Sequence, residues 1–534
     1  MYINYLPGAN GALYASLVSS VRKDGKVTRG DDTVYLGRVL DKERLIFRTR
    51  ADGVFALDPS DLKKKIKAPV DFVAHTPRKN AKLPELYLDF GDVFFLKNFV
   101  EKTKLTPLVE AIGYGNPDSF WGLLHYYILT KAANCHAGTW YDGNIVRAYY
   151  PNANLVSQRI SDLLATVGSE ARVQRFFTAY IPFIRNFGTK LKNRDKTNSG
   201  ADDSSEDEVT PKQGDCILID STGLPNSIRL PITAVSNHNG KISLEVRLIY
   251  VVQQGTGLPI YMRYVPGNVI DASTLVTTMR ELKAQKVDTK FAILDAGYVT
   301  EDNLTELFEA KVSFLSRLPE NRKLYKDLVK EESATLAREE NMVRYGERLL
   351  YMKRFERELI PGHKGYVYLG LDLAEEYVQR KQVGKRANAD DLPIREVRRQ
   401  LRNKGVFCLV CSRRIAVDKI LPLYYTRQDV EQVFDIGKNY GAMLPLCVES
   451  EETFRGHLLV TFLATVILRM IQYEAKSHQW SLDQIFSVLR NHKCKAFPDV
   501  IIPQEATRKQ NEIYKAFGIK VPKSISAKLG EAVD

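Results

Sequence analysis

Four polar side chains recur along one short stretch of this 534-residue chain: Tyr424, Arg427, Glu431 and Lys438, at offsets 0, 3, 7 and 14. On a helix turning roughly 100° per residue, all four fall within about 60° of arc and are spread over about 21 Å of axis. A row of phenol, guanidinium, carboxylate and ammonium suits a phosphate backbone passing a bound metal ion. The same spacing also describes a solvent face with charge pairs one turn apart. Arg427 and Glu431 would then attract, and Glu431 and Asp435 would repel. Geometry alone leaves both readings open.

Two more carboxylates stand where such chemistry would need them. Residues 216–219 form a short apolar run that reads as a strand ending at Asp220, and 291–294 form another ending at Asp295. Strands that end in Asp and lie side by side bring two carboxylates within reach of one ion. Mg²⁺ prefers hard oxygen ligands in octahedral geometry. Two metals about 3.5 to 4 Å apart activate a nucleophile on one side of a phosphodiester and stabilise the leaving oxygen on the other. Each metal also needs an unshared carboxylate, which a third acid supplies.

The elements that must position these acids read as mixed α/β. The runs 242–252 and 258–265 flank the loop 253–257 and are expected to form a hairpin. An amphipathic helix carrying Leu275, Val276, Met279 and Leu282 follows, with Asp271 or Ser273 as its cap. A helix over 300–310 and a strand over 313–318 come after Asp295. This order is that of a ribonuclease-H-like fold. Residues 319–405 interrupt it with charged, strand-like alternation, and 406–412 resume it. The expected division is a β-rich N-terminal module (1–104), a helical region (105–187), a flexible linker (188–210), the catalytic core (211–318 and 406–480), a β-rich insertion (319–405) and a helical basic C-terminal region (481–534).

The front half has its own signals. The runs 33–40, 45–48, 86–90 and 93–100 read as strands, and Lys63, Lys64, Lys65 and Lys67 form a basic run that reads as a phosphate contact or a solvated face. In 154–166, Ser157, Gln158 and Arg159 flank an apolar stripe of Leu155, Ile160, Leu163 and Leu164. That pattern fits either the recognition half of a helix-turn-helix or an ordinary bundle helix. The linker carries the acidic tract 202–208 and almost no apolar residue.

Composition frames the chemistry. The formal net charge is +13, which suggests a polyanionic partner. The longest apolar run, 458–468, is too short to span a bilayer, and residues 1–13 lack the pattern of a secretory leader. A cytoplasmic, nucleoid-associated protein without a membrane partner is expected. Cys408 and Cys411 make a C-x-x-C inside an apolar strand, with no second pair at zinc spacing, so core thiols are expected. No G-x-x-x-x-G-K-[ST] loop is present.

Tyr-x2-Arg-x3-Glu-x6-Lys resembles the signature of the DDE-type bacterial insertion-sequence transposases of the "insertion sequence four" group, and it matches at every spacing. Ile219-Asp220-Ser221-Thr222 resembles that group's first-acid strand, and Leu294-Asp295-Ala296-Gly297-Tyr298 its second. Pro266-Gly267-Asn268 with Asp271 resembles the turn after its hairpin, and Arg455-Gly456-His457 opens the apolar helix that follows the signature in many members. The resemblance covers about residues 211–480.

The resemblance implies that Asp220, Asp295 and Glu431 bind two Mg²⁺, or Mn²⁺ in their place. It implies that Tyr424, Arg427 and Lys438 hold DNA phosphates. It also implies a homodimer that binds terminal inverted repeats of double-stranded DNA, cleaves at the element ends and joins the 3′ ends to target DNA. The rival readings are a metal-dependent nuclease that does not transpose and a DNA-binding regulator. One departure concerns the insertion, where some members stack a flipped base on a Trp. Here the tryptophans are Trp121, Trp140 and Trp480, so Tyr325, Tyr345, Tyr351, Phe355, Tyr366 or Tyr368 would take that place. Asp435 is the rival third acid and is expected to pair with Lys438. Asp215 is expected in a turn, and His457 as a hydrogen-bonded helix residue.

Overall fold

A computed structural model describes residues 1–8, 12–23, 26–69, 86–199, 216–226, 230–236, 242–390, 392–446, 448–497 and 499–526. Asp215, the whole acidic tract 202–208 and Cys447 lie outside them. The chain divides into two compact units, Met1–Pro84 and Glu85–Asp534. The smaller one is an antiparallel sheet of six strands in sequential order, from Tyr2–Pro7 to Asp61–Lys67. Ala15, Leu17, Leu36, Phe47, Phe55 and Leu57 form its small core. The basic run lies on its last strand, where Lys64 and Lys65 pair with Asp58 and Asp52 at 3.8 and 2.7 Å.

The unit boundary falls before residue 104 because of one element. Residues 93–100, expected as a strand, lie in the helix Gly91–Thr103. Val93, Phe94, Phe95, Leu96, Phe99 and Val100 are all buried, and Lys97 and Asn98 alone interrupt the run, too narrow a polar face to show the helical period. The preceding strand, Leu86–Asp89, pairs with Lys493–Ala496. With Val500–Pro503 and Ile525–Ser526 these make a four-stranded sheet. The C-terminal region is thus mixed, with helices Leu482–Arg490 and Arg508–Ala516, where a helical segment was expected. The expected linker is helical at its start, because Glu170–Ser199 continues past residue 188.

Among the described residues, the larger unit is organised on a ten-stranded mixed sheet. From one edge the strands are Leu258–Pro266, Ser243–Gln253, Cys216–Pro225, Phe291–Leu294, Ser313–Arg317, Val406–Cys411, His363–Asp372, Arg348–Ile360 and Met342–Tyr345, and Ala234–Ser236 pairs beside Ser243–Gln253. Cys216–Pro225, Phe291–Leu294 and Ser313–Arg317 run parallel, and the other pairs are antiparallel. The insertion's strands therefore extend the core sheet through Val406–Cys411. The insertion also contains helices Lys323–Leu336, Leu373–Ala389 and Ile394–Leu401, which the β-rich reading lacks.

The helix Glu451–Ala475 runs through the middle of this unit. It is long and apolar enough to cross a membrane by length and composition, yet 94% of its most apolar window is buried within the protein. It is here a core helix. The helix Ser157–Val167 crosses it closely. A Cβ on Gly456 would stand 1.9 Å from the Leu164 carbonyl oxygen, and one on Gly168 would stand 1.9 Å from that of Glu452. Only glycine permits this approach. Arg455 Nε donates to the Gly168 carbonyl at 2.7 Å. His457 is buried and bonds the Tyr127 hydroxyl at 3.1 Å. The Arg455-Gly456-His457 motif thus locks the helical region onto the core.

Candidate active site

The parallel pairing of Cys216–Pro225 with Phe291–Leu294 ends at Ile219 and Leu294. Asp220 and Asp295 are the next residues on each chain, so register alone sets them side by side. Asp295 follows its strand directly, as expected. Asp220 does not end its strand, which continues to Pro225 paired with Ser243–Gln253, Asp220 lying opposite Tyr250. The continuation keeps Thr222 on the same face as Asp220, two residues on.

The signature segment is broken. Val417–Tyr425 and Gln428–Asn439 are separate helices with Thr426 and Arg427 between them, where one helix was expected over 424–440. Tyr424 therefore leaves the helical row, while Glu431 and Lys438 remain on it and Arg427 stands at its N-cap. The second helix is seated by Val430, Val433 and Phe434. Phe434 stacks on Tyr250 at 5.2 Å and 4°. Buried Arg469 holds it from below, bonding Asp429 at 2.8 Å and Gln432 at 2.7 Å. This seating turns Arg427 and Glu431 toward the two aspartates.

Arg427 joins all three acids. Its Nη1 lies 2.9 Å from Asp220 Oδ2 and 3.3 Å from Asp295 Oδ1, and its Nη2 lies 2.5 Å from Glu431 Oε1. The acids are graded from deep to open, with side chains 14%, 38% and 52% exposed. Lys438 Nζ donates to Thr222 Oγ1 at 2.6 Å, further along the same strand. Asp435, expected to pair with Lys438, acts on that ammonium through its charge, while its Oδ1 accepts from Asn439 Nδ2 at 2.5 Å. Tyr424 lines a cavity of about 300 Å³ with Arg317, Arg348, Asp372 and Tyr425. Tyr345, one of the aromatic candidates in the insertion, stacks on Tyr425 at 5.0 Å and 15°.

Burial pushes the Asp220 carboxyl up to about 7, Arg427 opposes this, and Asp295 adds to it. Burial acts to lower the Arg427 value, but Asp220 and Asp295 outweigh it and the net shift is upward. Burial lowers the Lys438 ammonium and raises the Tyr424 phenol. The sign for stability follows from Asp220. Between its ordinary value and about 7, the folded chain holds a proton that the unfolded chain has lost, so stability falls as pH rises through that window. Asp220→Asn removes the penalty. Its denaturation midpoint should match the wild type near pH 4, exceed it increasingly up to pH 7 and then stay level. A pH-independent difference in urea titrations would refute the assignment.

Behind the acids lies a pair that sequence reasoning missed. Asp271 was expected to cap the helix Leu275–Ala284, but its Oδ1 accepts from Arg247 Nη1 at 2.7 Å and from Ser221 Oγ at 2.5 Å. Arg247 and Asp271 are largely buried, at 8% and 15% exposure. The signal was an arginine amid the apolar strand Ser243–Gln253, which calls for a buried partner. Cys408 and Cys411 are buried, and burial raises both thiols to about 12, so they are inert core residues as expected.

The three acids offer hard oxygen donors around a position where a cation already stands, which fits Mg²⁺ or Mn²⁺ by donor type. With Arg427 between them they form no ready ligand shell. Among the described residues, no three Asp, Glu, His or Cys side chains are grouped to hold an ion as placed. A metal therefore requires the guanidinium to move aside.

Residues 211–467 match the family model described as "Transposase DDE domain", a span that contains all three acids and the whole signature. The match supports a DDE-type transposase as the class of protein, and domains of this class generally depend on a divalent metal. No curated protein matches the chain. Among solved structures, the chain is similar to a piggyBac transposase synaptic complex with hairpin DNA, at 9% identity and a TM-score of 0.34, over 80% of this chain and 70% of that one. At that score the likeness decides neither fold nor chemistry.

Proposed function

We propose that this chain is a transposase of the "insertion sequence four" group, built on a ribonuclease-H-like core. In this reading it binds terminal inverted repeats, cleaves DNA at the element ends and transfers the 3′ ends to target DNA. The observation that carries the reading is the convergence of Asp220, Asp295 and Glu431 on one cation, inside the segment that matches the transposase domain. The strand order also supports it: the hairpin, then the two acid strands, then Ser313–Arg317, is the arrangement expected of a ribonuclease-H-like sheet. A homodimer on paired ends, acting in the cytoplasm on nucleoid DNA, completes the proposal.

In this mechanism Asp220, Asp295 and Glu431 would hold two Mg²⁺, or Mn²⁺ in their place. Ions bound there would supply Lewis-acid chemistry for a phosphodiester substitution. The chain's own residues do the rest. Arg427 leaves the acids and takes a phosphate in a bidentate grip. Lys438, about 10 Å along the helix from Glu431, takes a neighbouring phosphate in exchange for Thr222. Tyr424 bounds the path on the side of the insertion. Cleavage hydrolyses a phosphodiester, with water as nucleophile and the 3′ oxygen as leaving group, and joining exchanges one phosphodiester for another with that 3′-hydroxyl as nucleophile, so no nucleotide hydrolysis is needed.

The direct test is incubation with a duplex carrying an element end and its flank, with Mg²⁺, reading cut positions on both strands and any joined products. Cuts without joining favour the nuclease, and binding without cuts favours the regulator. A finer test concerns the guanidinium. Lys cannot copy a fork that reaches two acids through one nitrogen and a third through the other. Arg427→Lys should slow cleavage by roughly 10- to 100-fold, and Lys438→Ala should weaken the pre-cleavage complex, while Mn²⁺ still binds both variants. Loss of Mn²⁺ binding in Arg427→Lys would show that this residue builds the metal site instead.

A further inference from the structure

Strands His363–Asp372 and Val406–Cys411 are antiparallel neighbours, with Leu371 opposite Val406. A two-residue turn suffices for such a connection. This chain instead inserts the helices Leu373–Ala389 and Ile394–Leu401. They bring almost no core: Val383 is the one buried residue of the first, and the second has none. A long connection that buries so little is usually kept for function.

Its root is fixed and its length is charged. Asp372 caps the first helix through the Ala374 and Glu375 amides and accepts from Arg348 Nη1 at 3.0 Å. Gln379 accepts from the Gly405 amide at 3.1 Å. Glu375 and Gln379 line the same cavity as Tyr424, so the helical pair starts beside the candidate site. From there the first helix extends about 25 Å, the length of roughly seven base pairs. Residues 373–404 contain nine Lys and Arg against five Asp and Glu. Glu376 and Glu396 are taken up by Arg380 and Arg399. Lys381, Lys385, Arg398 and Arg402 are exposed and form no salt bridge among the described residues. Tyr377, 67% exposed, stands one turn before Lys381.

We propose that this helical pair clamps the phosphate backbone of the duplex held at the active site, over the stretch that leaves the site past Tyr424, without reading its sequence. The inference rests on the reading that the site acts on DNA. Lys381 and Lys385 lie one turn apart on the first helix, and Arg398 stands in the last turn of the second with Arg402 at its C-cap, a row of charges that suits successive phosphates better than base edges.

The test uses the full chain and the variant Lys381→Gln/Lys385→Gln/Arg398→Gln/Arg402→Gln. Binding to 40-base-pair duplexes is followed by fluorescence anisotropy across a salt series, with and without truncation of either arm. The variant should show a log–log salt slope shallower by about 3 to 4 and an affinity roughly 10- to 1,000-fold lower, equally on specific and random DNA. Truncating one arm should cost the wild type affinity and leave the variant unchanged. Equal slopes and affinities for the two proteins would overturn the proposal. So would a loss confined to one sequence, or a variant that binds DNA normally but loses self-association. If the wild type itself shows no salt-dependent DNA binding, the transposase reading fails with it, and the two failures are told apart. Should the fourfold variant melt early, Lys381→Gln/Lys385→Gln and Arg398→Gln/Arg402→Gln alone should each remove about half of the slope change.

Discussion

Asp220→Ala, Asp295→Ala and Glu431→Ala should each reduce cleavage at an element end by roughly 10³-fold or more while DNA binding stays within a few fold. Charge stabilisation at such a site is worth several kcal/mol, and each 1.36 kcal/mol is tenfold in rate. DNA binding should survive because the acids repel phosphate rather than attract it. Removing any one also leaves Arg427 with fewer partners, which frees it for DNA. The measurement is single-turnover cleavage beside a binding isotherm for each variant. Glu431→Ala at wild-type rate would reassign the third role. Asp435 is then the neighbour to examine, although its carboxylate is bonded to Asn439 on the same helix.

Arg247→Met should destabilise the larger unit by about 3–5 kcal/mol, since it strands the Asp271 carboxylate in a buried site. Asp271 accepts from Arg247 and Ser221, and Ser221 is next to Asp220, so the damage should reach the acid strand as well. Replacing both partners should behave differently. Arg247→Met/Asp271→Leu removes both buried charges and should recover most of the loss, because apolar side chains fill such a site without a desolvation cost. Urea denaturation of the single and double variants measures this. A double variant as unstable as the single one would show that the pair's value lies in geometry rather than charge.

The sequence by itself determined which residues carry the candidate chemistry. Asp295 stands after a strand as its apolar run demands, and Glu431 and Lys438 share a helix face, with Arg427 at its N-cap, because their spacing follows the helical period. These signals are local, and local periodicity survives folding. The C-x-x-C was legible for the same reason, since two thiols inside an apolar strand are buried together.

Tertiary structure decided everything that depended on a partner far along the chain. Residues 93–100 became a helix that is buried on most of its surface, which blurs the period that separates helix from strand. Leu86–Asp89 left the N-terminal module because its hydrogen-bonding partner lies some 400 residues on, at Lys493–Ala496. Asp271 exchanged a capping role for an ion pair because Arg247 faces it from another strand. The break at Thr426 and Arg427 took Tyr424 off the helical row, and it brought the guanidinium to where three carboxylates from separate elements meet. Spacing along a chain fixes which side chains share a face, whereas the opposing charge that holds each one is set only when the elements pack.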